Sequence, residues 1–595
     1  MINSRNRVLA GLLLAASVAF LDGVALGADA TAPASAPGNA PETAATPLKP
    51  SSGSQPSAAL RPDSNGGFSN PFTQIETQSL GVVAADLVGV LDDQNGGFGT
   101  DMWSGSKLDV IEAVLPRLPA ATSSPAMTDL LRRLLLSKAQ PPEGSAVGSL
   151  AAIRFDRALA IGEVGAIDVM AGQLPPDQAT TGVLGVRVDA LLFQGKDSDA
   201  CALAEKARGN TNDSAAWTKR LGYCSALAGK VAEARLASDI LADTGDTDEA
   251  FRQLMAKLVD KAKIKPVHIA NPSAVHFALL RKTQSDIDDA SLANASPAFL
   301  TAWAADEKAP LAQRLMAGEH AVSAGVMPVS ALIALYSEVK LKPELLAAYF
   351  DPGKAPDGAE GAAYVVQRLA KTGDGTERGK LLAFALESGE TRGTLPALAK
   401  VFQPALFSLP ASPSLLDNGA ILATGELLAG PGGNPKRWLD LMNSQGEGNS
   451  EPARALRSLL AVHGGSSDVA WSADEFLVRV KAAPDADKAR AELEWDMLRA
   501  LGMPSSNPVW LATLAAPLTE TGALPTPPIM EGLKAAASAH RVGETAMFAL
   551  AALGEGGPRE AHPTAIAAIV AALDRAGLSS DAHAIATEAL AWHMP

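Results

Sequence analysis

Cysteine is nearly absent: Cys201 and Cys224 are the only two in 595 residues. They do not form a Cys-x-x-Cys pair, the usual spacing for thiol redox chemistry. Aromatic side chains make up 5 % of the chain, which leaves few rings for sugars to stack on. The histidines His268, His276, His320, His463, His540, His562, His583 and His593 are dispersed. They make no His-x3-His pair and no His-Glu-x-x-His motif, so each reads as a surface or loop residue and no metal is expected. No phosphate-binding Gly-x4-Gly-Lys-Ser/Thr and no Gly-x-Gly-x-x-Gly occurs, so no cofactor is expected either. Lysine and arginine are scattered in a chain of net charge −15. That balance argues against nucleic acid and against anionic membrane surfaces.

Long apolar runs are also missing, with one exception at the start. Arg5 and Arg7 precede an apolar stretch from Val8 to Phe20, and small residues follow at Ala25, Gly27, Ala28 and Ala30. Residues 1–30 read as a secretory signal of Gram-negative type, which places the chain in the periplasm. The stretch is short for a membrane span, so cleavage is favoured over a retained anchor, and no stable insertion is expected afterwards. Residues 31–60 are Ala, Pro, Ser, Thr and Gly, too poor in large apolar groups to offset ordering entropy; a disordered linker is expected. In 61–106, Asp63-Ser64-Asn65-Gly66-Gly67-Phe68 recurs as Asp93-Gln94-Asn95-Gly96-Gly97-Phe98. Asn-Gly and Gly-Gly mark tight turns. The start of a calcium loop is similar, but the later acidic ligands are missing. The turn near 93–98 runs into Asp101-Met102-Trp103, where a buried Trp is expected to anchor the entry to the helical body.

From residue 107 apolar residues recur at helical spacing, and strand-like alternation is nearly absent. Leu130, Leu131, Leu134 and Leu135 form one face; Ile566, Ile569, Val570 and Leu573 form another. Ser472-Ala473-Asp474-Glu475 has the form of a capping box, and Pro563 sits where a first-turn proline belongs. The fold class is all-α. Pro/Gly-rich gaps at 409–413 and 430–435 divide the body into arrays over 107–410 and 436–595.

Two stretches coincide at a shift of 34 residues: Gly195-Lys196 with Ala200 falls on Gly229-Lys230 with Ala234. Trp217, Leu221-Gly222, Gly229 and Glu233-Ala234 resemble the middle of a tetratricopeptide (TPR) unit, although Ser225 and Asp246 stand where that family has Tyr and Pro. The step returns at Gly577 and Ala582, and in degenerate form at Gly325 and Gly162. The resemblance implies an α-solenoid of stacked helical hairpins, each burying its apolar face on its neighbours. Gly195, Ala200, Trp217, Gly222, Gly229, Ala234, Gly577 and Ala582 are then packing residues. Cys201 and Cys224 flank the Gly209–Asp213 turn at similar distances, so antiparallel helices would bring them together as a disulfide. Two buried thiols are the alternative.

Decoys are set aside on context. Ser104-x-x-Lys107 with Lys371-Thr372-Gly373 resembles penicillin-binding enzymes, but the middle element is missing and Gly373 reads as a helix C-cap. Glu492 and Asp496 beside Trp495 read as a solvated helix face. The Glu387-Ser388 pair lacks the other lytic-transglycosylase signatures. No catalytic residue is assigned and no enzyme is expected. The expected role is a periplasmic scaffold that holds protein partners of the cell envelope. A peptidoglycan- or polysaccharide-binding superhelix is the alternative, and an enzyme with an unfamiliar site is a more distant one.

Overall fold

The computed structural model of the chain describes residues 85–594, apart from 145–148, 176–177, 211–213, 465–476, 479–484, 504–507, 509–510, 512–521 and 593. The expected signal, the linker, the turn at 63–68 and the capping box at 472–475 lie outside the described residues. Residues Gln78–Pro595 cluster as one compact unit. It is all-helical. The only β-type pairings among the described residues are isolated bridges such as Leu91 with Ser137 and Val267 with Ile287.

The first half of the body contains α1 (Leu108–Val114), α2 (Pro125–Leu136), α3 (Ser149–Ala160), α4 (Val164–Gln173) and α5 (Thr181–Phe193). It continues through α6 (Asp197–Ala207), α7 (Ala215–Leu227), α8 (Val231–Asp243), α9 (Glu249–Asp260) and α10 (Ala274–Thr283). Several starts are set by side-chain caps. Ser124, Thr180, Ser214 and Asp248 each accept the amide three residues on, which satisfies one of the donors a helix start leaves over. Several ends are set by glycine. At Gly195 (φ 73°) the amide returns to Leu192 O and the Lys196 amide to Leu191 O. The same pair of bonds closes helices at Gly162, Gly229, Gly325 and Gly577. This is the Schellman end, whose left-handed residue tolerates a Cβ poorly. His540, at φ 52°, holds the same position without being glycine.

The 34-residue shift is a shift of whole helices. Thr181 and Ala215 open α5 and α7, and Phe193 and Leu227 close them. Neighbouring helices pack in pairs, α5 on α6 and α7 on α8. Ala200, Ala234 and Ala582 are fully buried. A Cβ on Gly222 would stand 2.8 Å from the Ala237 Cβ, so glycine sets how closely α7 and α8 approach. Cys201 on α6 and Cys224 on α7 are joined (S–S 2.02 Å, Cα–Cα 5.3 Å), tying one pair to the next. Replacing both cysteines by alanine should lower stability by about 3 kcal/mol, the chain-entropy value for a loop of this size. Denaturant titration of the double variant beside the parent checks it.

The hairpin alternation breaks at α9. Asp248, capping α9, meets His276 in the first turn of α10, and Lys257 near the end of α9 meets Gln284 O and Ser285 Oγ past the end of α10. The two helices therefore run parallel, and residues 261–273 carry the chain back along them. Lys261 (φ 57°) ends α9 in the left-handed region, and Pro266 and Pro272 keep the return stretch out of a helix.

The two ends of the body meet. The amide of Gly543 donates to Met102 O at 3.0 Å. A Cβ on Gly543 would stand 2.7 Å from the Trp103 ring, so the buried Trp103 docks on a site that only glycine leaves open. Arg133 pairs with Asp581 at 2.7 Å. Glu588 accepts from Ser124 Oγ and, at 2.7 Å, from the Ala126 amide. The apolar faces read in the sequence lie here: Leu130, Leu131, Leu134 and Leu135, and Ile566, Ile569, Val570 and Leu573, are all at most 1 % exposed. Each such side chain contributes about 1.5–3 kcal/mol of burial. The helix Gly419–Leu428 packs on Lys436–Ser444 across the Pro/Gly-rich stretch at 430–435.

Three sequence readings need correction. Gly373 is not a C-cap: the helix Gly358–Leu369 ends at Ala370, and Gly373 leads into the Asp374 cap of the next helix. The Glu492–Asp496 face is not simply solvated, because Trp495 on it is buried and burial pushes both carboxyls up. His276 is neither surface nor loop; it is 4 % exposed within α10.

Candidate functional site

The parallel step between α9 and α10 brings three helix starts together around an open cavity of about 610 Å³. Ala216, Lys219 and Arg220 of α7 form one wall. The turn 246–250 forms the second, and residues 268–276 the third. At its base Asp248 does double duty. One oxygen caps α9 through the Phe251 amide at 3.0 Å, and the carboxylate takes the Lys219 ammonium at 2.7 Å. The His276 Nε2 lies 3.0 Å from the same carboxylate.

Burial alone would raise the Asp248 carboxyl, but His276, Lys219 and the Phe251 amide outweigh it and hold Asp248 well below the usual carboxylate range. Lys219 also reaches Asp246 at 3.0 Å. Arg220 makes a two-pronged pair with Asp189 at 2.8 and 2.6 Å, and its guanidinium lies 5.1 Å from the Trp217 ring.

The other nitrogen of His276 is turned to Ser273. Nδ1 stands 2.9 Å from Ser273 Oγ and 3.2 Å from the Ser273 amide. Ser273 caps α10 and His276 is its third residue, so the two close a capping box with histidine in the usual Glu or Gln position. Ser273 is exposed on the cavity while His276 is buried beneath it.

None of the residues expected from the repeat lines this cavity. Trp217 stands behind Arg220, and Gly195 faces Arg281, whose guanidinium pairs with Asp197 at 2.7 Å. Of the residues that build the site, Lys219, Asp248 and Ser273 were not singled out by sequence reasoning, and His276 was read as a surface or loop residue. The one available signal was Ser273-x-x-His276, a capping-box spacing with a titratable residue in third place.

A second concavity of about 520 Å³ lies at the opposite end of α9 and α10 and collects Lys257, Lys261, Lys263 and Lys282. The lysines are thus less scattered than composition suggests. Both helices end there, and cations complement helix C-termini. Lys257 donates to Gln284 O, and Lys282 pairs with Asp197 at 2.9 Å. These contacts hold two of the four lysines at the helix ends.

Among the described residues no group of His, Cys, Asp and Glu side chains is arranged to hold a metal ion, and no helix is long and apolar enough to cross a membrane. Comparison of the chain with protein-family models, with curated proteins and with solved structures gives no match.

Proposed function

We propose that the chain is a periplasmic helical-repeat scaffold of tetratricopeptide-like type that holds a protein partner of the cell envelope. The supporting observation is the outer face of α8. Leu236 and Ile240, one turn apart, are 56 % and 43 % exposed, and Leu227 and Val231 are exposed around the same hairpin turn. Elsewhere in the body large apolar side chains are mostly buried, so a pair of this kind on one helix fits a surface covered by another protein.

Capture of the tagged full-length chain after mild crosslinking in intact cells tests the reading. An envelope protein recovered in near-stoichiometric amount with the parent, and lost with Leu236→Asp/Ile240→Asp, is the expected result. Retention on isolated murein sacculi with no protein recovered would replace the scaffold by the polysaccharide-binding reading.

A further inference from the structure

We propose that the cavity over α7, α9 and α10 is also a serine-nucleophile site for short-chain acyl esters of polar alcohols. Ser273 is the nucleophile, His276 the general base and Asp248 the group that orients the base. This goes beyond the scaffold reading and does not depend on it.

The protonation pattern follows from the contacts. The Ser273 backbone N–H can only donate, and it is directed at His276 Nδ1 at 3.2 Å. Nδ1 therefore carries the lone pair, and the ring proton of the neutral imidazole sits on Nε2, facing the Asp248 carboxylate at 3.0 Å. That is the resting form of a general base. That lone pair, shared with the Ser273 amide, also meets Ser273 Oγ at 2.9 Å, within reach for taking the hydroxyl proton. The two ring nitrogens exchange the places they hold in the serine-protease triad, while the order nucleophile, base, carboxylate is the same. Lys219 keeps Asp248 charged and fixed from the far side at 2.7 Å.

A capping box accounts for part of this arrangement and not for the rest. It requires an acceptor at the third helical position, which Glu or Gln supplies. It does not require a second helix to place a carboxylate on the other side of that residue, nor a cavity over the capping hydroxyl. The base is buried and the hydroxyl is exposed to about 610 Å³ of open space. The first-turn amides of α10, at Ala274 and Val275, belong to the donors a helix start leaves without intrahelical acceptors, and the His276 amide reaches Ser273 Oγ at 3.4 Å. An oxyanion formed on the carbon attached to Oγ would lie at this helix start, whose dipole favours negative charge.

The chemistry balances with an ester and water alone. Ser273 Oγ attacks the acyl carbon as its proton passes to His276 Nδ1. The tetrahedral oxyanion collapses, the C–O bond to the alcohol breaks, and the alcohol leaves with the proton from Nδ1. Water then attacks the acyl-serine, again giving a proton to Nδ1, and the acid departs as Ser273 recovers its hydrogen. The lining selects the substrate class. Ala216 and Ala250 leave room for a short acyl chain, and Thr247, Asn271 and His268 offer hydrogen bonds to a polar alcohol.

The test labels the full-length chain with diisopropyl fluorophosphate, follows p-nitrophenyl acetate hydrolysis, and maps the label by peptide mass spectrometry. His276→Gln keeps the capping box and removes the base. Ser273→Asn keeps the cap and removes the nucleophile. The expected result is a phosphoryl label on Ser273 of the parent, no label in S273N, and at least a 100-fold slower labelling and hydrolysis in H276Q, with both variants melting close to the parent. No label on Ser273 in the folded parent, or equal labelling of H276Q and parent, would overturn the proposal and leave the capping box as the whole role of these residues.

Discussion

Replacing Arg154 by methionine should destabilise the body by about 3–5 kcal/mol, the scale for breaking a buried hydrogen-bond network. Arg154 on α3 is fully buried, and its guanidinium spends its donors on main-chain oxygens. It gives two bonds to Leu135 O at 3.0 and 2.8 Å, one to Ser137 O at 2.7 Å and one to Asp86 O at 2.9 Å. Two of those carbonyls belong to the end of α2, where a helix leaves its last oxygens unsatisfied. The third belongs to the segment before α1. Methionine fills much of the volume and supplies no donor, so the three carbonyls lose the bonds Arg154 gave them; a buried polar group left unsatisfied costs about 1–3 kcal/mol. Relief from burying a cation offsets part of this, since burial already lowers the Arg154 pKa to about 10 despite the nearby Asp86. Denaturant titration of Arg154→Met decides the matter, and a loss under about 1 kcal/mol would mean that the two terms cancel.

Glu588→Gln should have the opposite sign at alkaline pH. Burial pushes the Glu588 carboxyl up to about 7, against the smaller opposing pull of Ser124, the Ala126 amide and Lys400. Unfolded, the group titrates near 4.5. Between those values the folded chain holds a proton that the unfolded chain has released, so stability falls as pH rises. The contribution is fully present below about 4.5 and is lost as pH passes through 7. The difference amounts to something on the order of 3 kcal/mol. Glutamine keeps an acceptor for the Ala126 amide and offers a donor to Ser124 Oγ, and it does not ionise. Titrations at pH 5 and pH 8 should show the parent losing stability over that interval relative to E588Q, with E588Q the more stable at pH 8. Parallel profiles would show that Glu588 stays ionised throughout.

Local features of the fold were legible. The faces Leu130–Leu135 and Ile566–Leu573 announced buried helices because helical period depends only on near neighbours. The shift from Gly195 to Gly229 marked real helix ends because a left-handed end selects glycine at that one position. Cys201 and Cys224 were legible from a turn and two similar arm lengths.

What escaped was the long-range part. Nothing local says that α9 and α10 run parallel, since a Pro-containing return stretch looks like any loop. The cavity was hidden for the same reason: Lys219, Asp248 and Ser273 are each an ordinary helix-start or helix-face residue, and their meeting depends on that parallel step. Glu588 is a polar position on an Ala-rich helix, and its burial depends on that helix lying against α2.

The meeting of the two ends sets a timetable for synthesis. The Ser124 hydroxyl and the Glu588 carboxylate that receives it are 464 residues apart in the chain. At ordinary ribosomal speeds the first waits roughly 20–90 s for the second to be made. Throughout that interval α2 has no covering for the leucines that will face the last helices, and Trp103 has no Gly543 to dock on. A linear stack of hairpins could finish each layer as it emerges. Here the first layer is also the last to be completed, so a nascent chain stalled short of its final helices would present its earliest apolar face to whatever chaperone attends it.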